Sequence, residues 1–144
     1  MTAGTPRVVI VPCSGIGKPF GSVSREAAYE VCEALRPDDT RLVALSKLVL
    51  GDEEACERVR TSPAITIDGC KLMCAATLVR LKAGTVVREV AVLDTYRRFK
   101  DLKPEGIAEL NEAGQQLARV VAGEIAETID RLHLPGTTEE DHRA

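Results

Sequence analysis

Ala64-Ile65-Thr66-Ile67-Asp68-Gly69-Cys70-Lys71-Leu72-Met73-Cys74 joins a short apolar, β-branched run to a tight polar turn and then to residues of helical spacing. An unbroken run of this kind, without polar alternation, is a strand buried on both faces, as in a parallel sheet. Val8-Val9-Ile10-Val11 has the same character and closes on Pro12 and the glycine-rich Ser14-Gly15-Ile16-Gly17. Both strands therefore run straight into a loop that carries a cysteine, Cys13 in one case and Cys70 in the other.

Working outward, Ser22 or Ser24 caps a helix with Ala28, Val31, Cys32 and Leu35 on one face and Pro37 as its stop. Leu42-Val43-Ala44-Leu45 reads as a second strand, and Asp52 opens a short acidic helix with Ala55 and Val59 inward. Beyond Cys70 a helix runs through Leu72, Ala75, Leu78, Val79 and Leu81 to Gly84, followed by a fourth strand from Val86 to Leu93. From Pro104, apolar residues Ile107, Leu110, Leu117, Val121, Ile125, Ile129 and Leu132 fall at spacings of three, four and seven, which predicts a long C-terminal helix. Strands alternating with helices require right-handed crossovers and a parallel sheet. The expected fold is α/β: a single-domain three-layer sandwich, flavodoxin- or Rossmann-like, with a mostly parallel four-stranded sheet in the order 2-1-3-4. Residues 1–134 form the domain, and 135–144, without an apolar anchor, a flexible tail.

The chain has 144 residues, 44% of them hydrophobic and 28% charged, the size of one ordinary domain. Such a chain buries about two-thirds of its unfolded surface and needs no disulfide staples. A net charge of −3, with two Phe, two Tyr and no Trp, provides neither the positive field nor the stacking platforms of nucleic-acid binding. No apolar run reaches membrane-spanning length, so the expected location is cytoplasmic. In a reducing compartment, five cysteines point to metal binding, reactive thiols or packing before disulfides.

Open parallel sheets bind ligands beyond the carboxyl ends of their strands, near the reversal of strand order. Cys13 and Cys70 sit at two such ends. The step from Cys70 to Cys74 brings their β-carbons to about 5–6 Å on one helix face, and a helix N-terminus at Cys70 would favour its thiolate. Cys13, Cys70 and Cys74 are thus the candidate ligands of a thiophilic metal, with Cys56, in the first turns of the acidic helix, as a candidate fourth. Cys32 belongs to the core stripe, and His133 and His142 are not persuasive ligands. Asp68 caps the next helix or orients Cys70, accepting from amides near Lys71, while Gly69 makes the turn. Ser14, Gly15, Gly17 and Lys18 are candidates to hold a small anion. The loop misses the dinucleotide fingerprint by one residue, lacks the Gly-Lys-Ser/Thr of a P-loop, and has Pro19 where a cysteine phosphatase needs arginine.

Cys13-Ser14-Gly15, Ile67-Asp68-Gly69-Cys70 and Cys74-Ala75, in this order over residues 7–100, resemble the DGC-domain family, which takes its name from the central Asp-Gly-Cys. The resemblance implies a small prokaryotic zinc-binding protein with four chelating cysteines, three of them matching Cys13, Cys70 and Cys74. The family's remaining cysteine falls near Val43-Ala44-Leu45-Ser46, where this chain has none. Cys56, Asp68 or water would then complete the shell. Zinc is the default metal, while thiolates also suit other soft metals and iron–sulfur clusters. Two competing readings are a metal-free redox or sulfur-transfer protein using Cys70 with Cys74 or Cys13, and a small-anion binding module with inert cysteines. No catalytic residue is assigned.

Overall fold

Val8, Val9, Ile10 and Val11 are all fully buried, because strand β1 (Val8–Pro12) lies inside the sheet with helices against both faces. The structure, a computed structural model, describes residues 7–13, 15 and 17–132. Four parallel strands, β1, β2 (Thr40–Leu42), β3 (Pro63–Asp68) and β4 (Thr85–Ala91), follow the order β2-β1-β3-β4. Side chains alternate across the pleat. Val8, Ile10, Ile65 and Ile67 pack under α1 (Pro19–Glu30), α5 (Val92–Arg98) and α6 (Glu112–Arg131). Val9, Val11 and Ala64 pack under α2 (Leu45–Leu50), α3 (Glu53–Thr61) and α4 (Cys74–Leu81). The result is the single three-layer α/β domain that the alternation of elements predicts. Among the described residues no helix is long and apolar enough to cross a membrane.

Several boundaries differ from expectation, each for a local reason. The second strand is Thr40–Leu42, not Leu42–Leu45: it is an edge strand pairing only with Val8, Val9 and Ile10. Leu45 instead begins α2, where Leu45 and Leu48, one helical turn apart, are buried and Val49 and Leu50 are exposed. The fourth strand ends at Ala91, since Val92 turns into α5 to bury its side chain. Helix α1 starts at Pro19 with Lys18 in the cap position, so Ser22 and Ser24 are interior residues, not caps. It ends in a π-helical turn, Val31–Leu35, ahead of Pro37.

The C-terminal helix begins at Glu112, not near Pro104. Asn111 is its cap, its Oδ1 accepting from Gly114 N at 2.8 Å and from Glu105 N at 3.1 Å while its amide donates to Lys103 O at 3.3 Å. Ile107 is consequently exposed, and its carbonyl accepts from Ser22 Oγ and Arg25 Nη2. The expected tail, 135–144, and both histidines lie outside the described residues.

Asp130 near the end of α6 takes a bidentate pair from Arg36, Nε to Oδ1 at 2.8 Å and Nη2 to Oδ2 at 2.6 Å. This hydrogen-bonded guanidinium holds the Asp130 carboxyl below the ordinary carboxylate range. A depressed value contributes stability above the unfolded pKa of about 3.9 that is lost as pH falls through the folded value. Asp130→Asn should therefore lower stability at neutral pH by about 0.2–1 kcal/mol, the range for a solvent-exposed pair. Thermal melts of variant and parent should converge once the pH drops below the carboxyl's range.

Candidate thiol site at the carboxyl edge of the sheet

β1 and β3 are neighbours, and their register carries Pro12 alongside Ile67. One residue on, Cys13 N donates to Ile67 O at 2.8 Å, and Cys13 Sγ accepts from Gly69 N at 3.4 Å. The first cysteine is thereby tied to the Asp-Gly-Cys turn by main chain and side chain together.

Three glycines make this proximity sterically feasible. A β-carbon on Gly69 would lie 2.6 Å from Gly21 N, and one on Gly21 would lie 2.1 Å from Gly15 Cα. The loop after β1, the first turn of α1 and the turn after β3 thus meet backbone to backbone. Gly15 also has a positive φ of 73°, which a side-chain-bearing residue adopts only with strain. These contacts give Gly15 and Gly21 a packing role in the loop where a small anion was expected, while Gly17, also at positive φ, has no neighbour within 4 Å of a β-carbon. Lys18 is exposed and its amide donates to Gly15 O at 3.4 Å. Ser14 lies outside the described residues.

The turn after β3 differs from the expected helix start. Cys70–Met73 closes with Met73 N donating to Cys70 O at 3.2 Å, and Met73 takes a left-handed φ of 53° before α4 opens at Cys74. Cys70 therefore precedes the helix. It is Cys74 that occupies the first helical position.

Asp68 supplies the missing cap from a distance. Its side chain, 1% exposed, accepts from Ala75 N at 2.8 Å through Oδ1 and from Ala76 N at 3.2 Å through Oδ2. The expected amides near Lys71 are not its partners, because the turn carries those residues past the strand tip before the helix begins. Burial pushes the Asp68 carboxyl up, the two amides oppose this, and Glu89 adds to the rise.

Cys13 is tied to the turn that carries Cys70, and Cys74 follows that turn within electrostatic reach of Asp68, Cys70 and Cys13. Cys74 is the most exposed of the three, yet its thiol is pushed up by lost hydration and then by the charges of Asp68, Cys70 and Cys13. Cys56 is buried in α3 among Val9, Val11, Leu48 and Val59. Cys32 is only half-buried against the opposite layer, less enclosed than a core stripe predicts, with its thiol raised chiefly by burial. Among the described residues, no three His, Cys, Asp or Glu side chains stand close enough as oriented to hold a metal ion. Beside the thiols a cleft of about 270 Å³ is lined by Asp68, Cys70, Lys71, Glu89 and Arg97 among others. Glu89 and Arg97 gave no signal in the sequence, since only the β3–β4 pairing and α5 bring them to this edge.

Fold and site together define a parallel α/β domain whose carboxyl edge carries clustered thiols on an Asp-Gly-Cys turn. The DGC domain family model matches residues 9–114, and the chain belongs to that family. No curated protein and no solved structure matches the chain.

Replacing Asp68 by Ala would leave two amides of α4 without a partner in a buried setting, a loss of about 1–3 kcal/mol. Asp68→Asn retains one carbonyl acceptor and should lose less. Urea unfolding of both variants checks the order; equal stability of Asp68→Ala and the parent would remove the cap from the account.

Proposed function

We propose that Cys13, Cys70 and Cys74 bind one thiophilic cation, zinc by default, at the carboxyl edge of the sheet. The observation that carries this reading is that Cys13 is bound to the Asp-Gly-Cys turn while Cys74, just past that turn, feels the charges of Asp68, Cys70 and Cys13. Their negative fields oppose ionisation of Cys74, and a bound cation reverses that repulsion. The donor set fits a soft metal in kind, and binding would draw the sulfurs inward from their present orientations. Cys74 opens α4 directly after the left-handed Met73, and Cys70 lies on the bend before it. Three protein ligands leave a fourth position for Cys56, Asp68, water or an exchanging ligand, and an open position suits metal transfer or chemistry. The site needs no membrane or nucleic-acid partner, and a cytoplasmic setting would keep its thiols reduced.

A second reading draws support from the fact that, among the described residues, no three His, Cys, Asp or Glu side chains are placed to hold a metal ion. A metal-free dithiol, Cys70 with Cys74 or Cys13, can serve redox or sulfur transfer without all three converging.

Elemental analysis of protein purified without added metal and without a histidine tag should return near-stoichiometric zinc. Thiol titration should then find Cys13, Cys70 and Cys74 protected until the metal is removed, with Cys32→Ala leaving metal content unchanged. Absence of metal, with a disulfide from Cys70 formed on mild oxidation, would favour the dithiol reading instead.

A further inference from the structure

A second site lies at the opposite edge of the sheet from the thiol-side cleft of β4. Arg41 of β2 is in register with Val9, so its side chain belongs to the face that α3 covers over β1. The helix does not extend over the edge strand, and the uncovered strip is a groove of about 490 Å³. Arg7, Arg41, Lys47 and Arg58 line it, together with Asp52 and Glu54.

Both carboxylates are already engaged. Asp52 Oδ2 accepts from Ala55 N at 2.9 Å as the cap of α3, and Glu54 pairs with Arg58 at 2.6 Å. Arg7, Arg41 and Lys47 have no ion pair among the described residues. Four cationic side chains therefore line one groove in a chain whose net charge is negative, with Glu54 offsetting part of the repulsion that Arg58 and Arg7 exert on Arg41. Arg58 and Arg7 accordingly disfavour the charged form of Arg41, lowering it from its ordinary value.

We propose that this groove binds a phosphate chain, a compact anion with several negative charges. Guanidinium forks match phosphate oxygens bidentately, and the lysine adds a point charge at the far end. Among the described residues no aromatic side chain lines the groove, so none offers a nucleobase a stacking partner. Among the described residues its apolar lining is Leu42, Val43, Ala44 and Ala55, without the aromatic anchors on which protein partners most often depend. The proposal uses no residue of the thiol site.

Calorimetric titration of sodium tripolyphosphate into the full chain, in metal-free buffer at low salt, tests it. Saturable one-to-one binding is expected, weakened roughly tenfold by Arg41→Gln and separately by Lys47→Gln, as for loss of one charged contact. Both residues are exposed, and melting temperature confirms that each variant folds. Lys100→Gln, which removes the same charge beyond α5, should leave affinity unchanged, and Cys70→Ser should also retain binding. A nucleoside triphosphate binding as tightly as tripolyphosphate identifies esterified chains as ligands; weaker binding identifies the free chain. Equal weakening by Lys100→Gln would reduce the effect to net charge and overturn the site. Tighter binding of an oligo-aspartate than of tripolyphosphate would overturn the phosphate assignment, as would absence of saturable binding.

Discussion

The close approach of Gly15, Gly21 and Gly69 is the constraint from which the carboxyl edge follows. Three backbone segments share a space in which even one β-carbon would sit within 3 Å of main-chain atoms. Parallel pairing of β1 with β3 would bring their ends near one another in any case, but it leaves the loops free to splay. Backbone contact through the first turn of α1 removes that freedom, and Gly69 N then reaches the sulfur of Cys13. A side chain at any of these positions would move a loop and, with it, a thiol.

Asp68 extends the same construction to α4. A carboxylate from the strand end holds the amides of Ala75 and Ala76, seven and eight residues later, so the turn between them is clamped at both ends. The bend and the left-handed Met73 fit the intervening chain into that fixed gap. Burial without a charged partner disfavours ionisation of this carboxyl, while the helix amides favour it, and a cation among the nearby thiols would act in the same direction as the amides.

The buried strands were legible because Val8–Val11 and Ala64–Ile67 are continuous β-branched runs, and the strand order followed from their crossovers. The positions of Cys13 and Cys70 just beyond the ends of β1 and β3 were legible because both strands run directly into their loops. The start of α4 was not, since Leu72 continues an apparent helical stripe yet is exposed on the turn, and the capping bond from Asp68 has no local sequence signature. The packing role of the glycine loop was not legible for a related reason: a positive φ and a close backbone approach leave the same letter in the sequence, and only the structure shows Gly21 against Gly15. Similarly, the grouping of Arg7, Arg41, Lys47 and Arg58 depends on α3 stopping short of the edge strand, which no motif records.

In the proposed site, thiols from separate strand ends share one metal. X-ray absorption at the zinc edge, on protein loaded with one equivalent, measures this by counting sulfur neighbours. The expected shell has three sulfurs at about 2.3 Å, completed by one further ligand. A shell of nitrogen and oxygen with no more than one sulfur would contradict a site shared by Cys13, Cys70 and Cys74.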